Sequence, residues 1–373
     1  MFFTILNRVR IHFGNLVFKF LSFLGFVKIG YDSEPNYKFL GNSKINNLIN
    51  EFKFWVDDDE RQEFYNVSKN LINAEIKKTV NLDKNNFSKE LRGLKEDGCV
   101  KFKNLILSDD EIKNIRQNLE NKYLYLGRVV PFSKYKTKSF FLAKSLTKQA
   151  SYSLEDILKC EKLLKVITNK NIIGLASEYF DCTPTIGEIN LYWTFPKIED
   201  RYVNFNVTRF HRDVEDYRNL KFFINLTDTS ENDGGLKYIK ESNKANFLKN
   251  NLDKKKINYN ADDIVNLNRV PNGLYNMSEI VEKNFKECEE EFYSKKGGLF
   301  AVDHYGLHKA VQSKKPRLVL WITFHLTQST GRHHYLGQNI KLQKRIPYSM
   351  VSNYIDNTLT NSFIYKSIIN FEI

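Results

Sequence analysis

"LKFFINLTDTSENDGGLKYI", from Leu220 to Ile239, is the stretch on which the fold turns. Its two ends are apolar and carry aromatic and β-branched side chains, while its middle is a run of Asp, Ser, Glu, Asn and Gly. Branched and ring-bearing side chains pack well on a pleated surface, and Asn, Asp and Gly tolerate turn geometry. The stretch therefore predicts two short strands and a turn. The same texture recurs outward in "TIGEINLYWTFP" (185–196), "VTRFH" (207–211), "GGLFAVDH" (297–304) and "PRLVLWITFHL" (316–326).

Upstream the period changes to that of helices. Gly98 marks a turn before a short strand from Cys99 to Lys103, and Ser108 with Glu111 forms an S-x-x-E capping box that opens a helix. Ser153 followed by Asp156 predicts a second capped helix through about Lys165, and "NIIGLASEYFD" a third ending near Asp181. Helices first, then strands without helical crossovers, predict an α+β chain with an antiparallel β-sandwich or barrel at its centre. Residues 241–291 interrupt the strands as a lysine- and asparagine-rich insertion, the kind of segment that serves as a lid or a variable loop.

With 373 residues, 42% of them hydrophobic, the chain has ample material for a packed core. Its 57 basic and 44 acidic residues leave +13, mostly as scattered lysine, with no arginine-rich stripe and no nucleic-acid motif. Compositional drift is the simpler reading, and no nucleic-acid partner is expected. Cys99, Cys160, Cys182 and Cys288 form no C-x-x-C pair, so the expected setting is reduced and cytoplasmic. At the N-terminus, "MFFTILNRVRIHFGNLVFKFLSFLGFVKIG" is interrupted by Arg8, Arg10, Lys19 and Lys28, too often for an ordinary membrane span. Its helical pattern fits a membrane-surface helix or one packed on the protein's own core.

His211 and Asp213 are two residues apart, so in an extended segment both side chains leave the same face. A third ligand is offered by His308, 97 residues downstream of His211. Two histidines and one carboxylate on one face of a metal form the facial triad of non-haem iron(II) oxygenases. Arg317 follows 9 residues after His308, at the head of an alternating strand, where a guanidinium can pair bidentately with a carboxylate. His304 is expected to point elsewhere, Asp303 to make structural hydrogen bonds, and His333 and His334 to be loop histidines.

The ordered set "FHRD", "LKFFINLTDTSENDGGLKYIKESNK" and "GGLFAVDHYGLHKAV…KPRLVLWITF" resembles the phytanoyl-CoA dioxygenase-like family of iron(II)/2-oxoglutarate-dependent oxygenases. "LKEDGCVKFKNLILSDDEIKNIRQNL" resembles the start of such domains, so the likeness covers about residues 87–330. The resemblance implies a double-stranded β-helix, a cupin-like jelly roll, with flanking N-terminal helices. It leaves residues 1–86 as a helical extension and 331–373 as a C-terminal extension on the core. It further implies Fe(II) held by His211, Asp213 and His308, 2-oxoglutarate held at its distal carboxylate by Arg317, and dioxygen as co-reactant. Phe223 falls where the family places a residue against the cosubstrate, with Lys221 and Asn225 on the same face; Asn190 and Tyr192 are further pocket candidates. In "IKESNK", Glu241 and Asn243 stand where relatives tend to have glycine and histidine. The expected reaction is hydroxylation of an unactivated C–H of a small molecule or a lipid- or glycan-type substrate, with release of succinate and carbon dioxide, since related halogenases lack the carboxylate that Asp213 supplies. A silent jelly-roll binding module, or a membrane-attached interaction protein, is the rival reading.

Overall fold

The computed structural model describes residues 58–75, 84–126, 135–182, 184–196, 208–213, 216–259 and 274–326, with Leu21, 24–26, 28–29, 264, 346–347 and 371–372. The amphipathic segment through residue 20, His333, His334 and nearly all of the C-terminal extension lie outside the described residues. Among the described residues, no helix is long and apolar enough to cross a membrane.

The helices are α1 (Asp58–Glu75), α2 (Lys84–Asp97), α3 (Asp109–Leu119), α4 (Phe140–Leu146), α5 (Leu154–Lys159), α6 (Glu161–Ile167), α7 (Lys170–Phe180), α8 (Phe247–Lys254) and α9 (Leu274–Asn284). α3 begins at the expected capping box: the Glu111 amide donates to the Ser108 hydroxyl, and the Ser108 amide donates to the Glu111 carboxylate at 3.0 Å. The helix expected from Ser153 to Lys165 is broken in two. Cys160 is extended, ending α5 and starting α6. The cause lies in the apolar spacing: Ile157, Leu158, Leu163, Leu164, Val166 and Ile167 are all buried, yet they would point all round one straight helix.

The strands are β1 (Lys28–Ile29), β2 (Cys99–Lys101), β3 (Leu124–Leu126), β4 (Tyr135–Thr137), β5 (Gln149–Ser151), β6 (Thr185–Thr194), β7 (Asn219–Asn225), β8 (Leu236–Ile239), β9 (Glu289–Phe292), β10 (Leu299–Asp303), β11 (His308–Ala310) and β12 (Arg317–His325). They form a nine-stranded sheet, ordered β1-β4-β3-β5-β6-β12-β7-β10-β2, and a three-stranded sheet, β11-β8-β9. The expected strand at 207–211 is reduced, among its described residues, to one antiparallel bridge between His211 and His308. From β6 onward the chain passes from the large sheet to the His211 bridge, back to β7, over to β8 and β9, back to β10, over to β11 and back to β12. That alternation, with β6-β12-β7-β10 side by side opposite β11-β8-β9, is the double-stranded β-helix.

Period-two alternation divides the large sheet's side chains between two cores. Leu220, Phe222 and Ile224 of β7 and Leu318, Leu320 and Ile322 of β12 pack outward with helix residues such as Ile173 and Leu175. Phe223, Val319, Trp321, Tyr192 and Phe300 face inward and meet Leu236, Tyr238 and Phe292 of the small sheet. The inner face is where the candidate residues Lys221, Phe223, Asn225 and Arg317 sit.

β9, "EEEF", is a strand that hydrophobic periodicity does not reveal. It is held by cross-strand charge: the Lys237 ammonium lies 2.7 Å from Glu289 and 3.8 Å from Glu291, and Lys240 lies 2.8 Å from Glu290. The described part of the insertion also builds a core. Leu248 and Leu252 of α8 and Met277 and Val281 of α9 pack with Phe285, Phe210 and Leu307, the last two adjoining the histidines.

Candidate metal centre

Backbone pairing brings the histidines together. His211 and His308 exchange amide-to-carbonyl bonds of 3.0 Å in both directions, and the Asp213 amide donates to the His304 carbonyl at 2.9 Å. A ligating atom from each of His211, Asp213 and His308 lies within 4.8 Å of the others. The His211 Nε2 is 3.6 Å from Asp213 Oδ1, and the His308 Nε2 is 3.9 Å from Asp213 Oδ2.

The tautomers follow from the other ring nitrogens. His211 Nδ1 lies 2.8 Å from the Arg209 carbonyl and His308 Nδ1 lies 2.8 Å from the Gly306 carbonyl. A carbonyl only accepts, so each Nδ1 carries the proton and each Nε2 keeps its lone pair for a metal. Burial, and then the neighbouring His211, push His308 down to about 3, which keeps the ring neutral. Gly306 is required at the turn because a Cβ there would run into the Tyr238 hydroxyl.

His304 is a correction to the sequence reading, which pointed it away. Its Nδ1 lies 2.9 Å from Asp213 Oδ2, its ring centroid is 3.9 Å from that of His308, and it stacks on Phe223 at 5.4 Å. The signal was the His304-x-x-x-His308 spacing across a tight turn, where Gly306 leaves room for the Tyr238 hydroxyl. Lys221 converges on the same oxygen: its ammonium donates to Asp213 Oδ2 at 2.6 Å and lies 4.9 Å from the Trp321 ring centroid. Lys221 and His304 thus occupy Oδ2 and leave Oδ1 facing His211.

Arg317 is 7% exposed, and among the described residues no carboxylate pairs with it. Its Nε has no acceptor, and its Nη2 reaches Asn225 Oδ1 only at 3.5 Å. Burial holds its pKa below the ordinary arginine value, with Tyr192 opposing. Burying a guanidinium without a charged partner costs several kcal/mol, so the arrangement suits an anionic partner. Gly234, at φ 79°, lets the backbone approach: a Cβ there would lie 3.1 Å from Arg317 Cδ.

The remaining candidates line the inner face in different ways. Phe223 stacks on Phe300 at 4.9 Å, and Tyr192 meets Trp321 edge-on at 5.0 Å. The Asn225 amide donates to Ser294 at 2.8 Å and to Thr229 at 3.2 Å, tying β7 to the loop before β10. Asn190 is half-buried beside Glu188, at 3.5 Å. Asp303 lies behind the site, paired with Arg218 at 2.9 Å and bonded to Tyr179 and Asn243.

A support that the sequence reading missed comes from α1. Arg212, between His211 and Asp213, points the opposite way and pairs with Asp58 at 2.9 Å; it also donates to the Tyr305 hydroxyl at 3.0 Å and the Ser242 carbonyl at 3.3 Å. Asp58 accepts in addition from the Tyr305 hydroxyl and from the Asn246 amide at 2.8 Å. Arg61 lies over the Tyr305 ring at 4.6 Å, and Arg218 bonds Gln62 at 2.9 Å. Helix α1 is therefore built onto the back of the turns that carry His211, Asp213 and His308.

No family model matches the sequence, and no curated protein matches it significantly. Among solved structures the chain is similar to SnoK, a non-haem α-ketoglutarate-dependent carbocyclase from nogalamycin biosynthesis, at 14% identity over 71% of this chain and 96% of that one, TM-score 0.43. It is similar to the epimerase SnoN in complex with Fe3+, α-ketoglutarate and nogalamycin RO, at 13% identity over 70% and 95%, TM-score 0.42. It is also similar to HygX from Streptomyces hygroscopicus with nickel and 2-oxoglutarate bound, at 13% identity over 64% and 86%, TM-score 0.38. Scores of this size lend no weight to the site, which stands on its side-chain geometry.

Proposed function

We propose that this chain is an iron(II)/2-oxoglutarate-dependent oxygenase that hydroxylates an unactivated C–H of a small molecule. The observation that carries the reading is one barrel interior holding both a His-Asp-His donor set and a buried guanidinium that, among the described residues, no carboxylate pairs with. The donor set suits iron(II), and the orphaned Arg317 suits a dicarboxylate cosubstrate. Iron(II) and a 2-oxo acid bound there would supply dioxygen-dependent C–H oxidation, with succinate and carbon dioxide as co-products.

The chain's own tasks follow. His211 and His308 present Nε2 because backbone carbonyls hold their Nδ1 protons, and Asp213 presents Oδ1 because Lys221 and His304 hold Oδ2. Arg317 clamps the distal carboxylate of the cosubstrate. Phe223, Tyr192, Val319 and Trp321 form an apolar wall that limits water around the site. Asp213 fills the position that a halide would need, which favours hydroxylation over halogenation.

One observation favours a metal-free binding module instead: Lys221 at 2.6 Å neutralises Asp213 without any ion. Thermal unfolding separates the two, because a ligand that binds only the folded state raises the melting temperature. Manganese(II) with 2-oxoglutarate, under nitrogen, is expected to stabilise wild type and not His308→Ala; absence of any shift in wild type favours the binding module.

A further inference from the structure

Charge is unevenly placed along this chain. Residues 1–31 and 121–154 contain no Asp or Glu, yet they hold four and seven Lys or Arg respectively, within a chain whose net charge is +13. The fold joins these two acid-free segments: β1 pairs antiparallel with β4, Lys28 opposite Lys136, and the Thr137 hydroxyl donates to the Phe26 carbonyl at 3.2 Å.

Along this edge large apolar side chains stand in solvent. Phe141 is 77% exposed, Phe26 61%, Leu24 47% and Phe140 40%; among the described residues only Val67 and Leu105 are comparable. Phe140 is fixed edge-on against Trp193 at 4.8 Å, so Phe141 beside it projects outward from a rigid base. Lysines border the group. The ammonium groups of Lys136 and Lys138 lie 4.9 and 5.2 Å from the Tyr123 ring centroid, and among the described residues no acid pairs with Lys136, Lys138 or Lys144.

Single exposed apolar residues are ordinary, but four at one edge, on two segments whose sequences hold no acid and bordered by lysine and tyrosine, suit an apolar layer with negative charge at its border. We propose that this edge docks on an anionic membrane surface, with the phenylalanines entering the boundary between headgroups and acyl chains and the lysines meeting phosphate and carboxylate groups. Charge complementarity selects anionic lipid. Nucleic acid fits less well, since the bordering charges are lysine and the rings project from a turn and a helix start rather than lining a groove. The edge also adjoins the pocket wall: β6 turns Trp193 toward it and Tyr192 toward the barrel interior. The inference does not depend on the metal reading.

The test is co-sedimentation of the full chain with phosphatidylcholine vesicles, with and without phosphatidylserine, at low and high salt. Expected is capture by the phosphatidylserine vesicles that high salt reverses. The pair Phe26→Ser and Phe141→Ser should weaken it at least about tenfold, since each ring loses its burial in the lipid. The pair Lys136→Glu and Lys138→Glu should abolish it, and circular dichroism should be unchanged because these side chains are on the surface. No capture, equal capture without phosphatidylserine, or capture that neither pair alters would overturn the proposal. Capture lost with the lysine pair, kept with the phenylalanine pair and displaced by soluble polyglutamate would assign the edge to an acidic protein and also overturn it.

Discussion

Replacing Arg317 with methionine separates a ligand-binding arginine from a structural one by the sign of the effect. Methionine keeps most of the apolar stem packed while removing the guanidinium. In the ligand-free protein that group is 7% exposed, its Nε lacks an acceptor and its bond to Asn225 is long. Removing it should therefore cost nothing and relieve about 1–3 kcal/mol, part of the penalty for an unpaired buried charge. For a domain of this size that raises the melting temperature by about 2–4 °C per kcal/mol. Binding should respond oppositely. Losing one partner of a buried charge pair costs about 2–5 kcal/mol, so 2-oxoglutarate should bind about 30-fold to several thousand-fold more weakly. Differential scanning calorimetry without ligand, and titration of 2-oxoglutarate into the manganese(II)-loaded protein, read the two halves. A fall in ligand-free stability of several kcal/mol would show that Arg317 supports the fold, and unchanged affinity would show that it does not bind the cosubstrate.

Asp58→Asn leaves Arg212 buried without its carboxylate and should destabilise the ligand-free protein by about 3–5 kcal/mol, measured by urea unfolding. The same pair predicts a pH effect. Burial would raise the Asp58 carboxyl, but Arg212, Tyr305, the Asn246 amide and Arg61 outweigh it and hold the pKa below the ordinary value. Its contribution is thus fully present above the unfolded carboxylate pKa, about 4, and is lost as the pH falls through the lower folded value; Asp58→Asn should flatten that part of the stability profile. Lys221→Met leaves Asp213 without its 2.6 Å partner, so the ligand-free melting temperature should fall while the gain on adding manganese(II) exceeds that of wild type. A smaller metal-induced gain would contradict the view that Lys221 and the metal share the Asp213 charge.

Much of this architecture is legible in the sequence because strand signals are local. β7, β8, β10 and β12 announce themselves by β-branched and aromatic runs, and α3 by its capping box. β9 is hidden because "EEEF" has no apolar alternation and its acids are met by Lys237 on another strand. The break at Cys160 is set by which faces the core will cover, something no window of sequence contains. The order and spacing of His211, Asp213, His308 and Arg317 can be read in the sequence, whereas the approach of His304 to Asp213 depends on the turn at 303–306. Asp58 is the partner of Arg212, 154 residues away in the sequence. Long-range ion pairs of that kind leave no periodic trace.

The most direct test of the central claim is the addition of iron(II) and then 2-oxoglutarate to the purified protein under strict anaerobiosis, followed in the visible spectrum. A weak metal-to-ligand charge-transfer band in wild type, absent in His308→Ala and diminished in Arg317→Met, is the result this account predicts. Iron-loaded wild type that shows no band and no binding of 2-oxoglutarate would contradict it, and Lys221 would then be the permanent partner of Asp213.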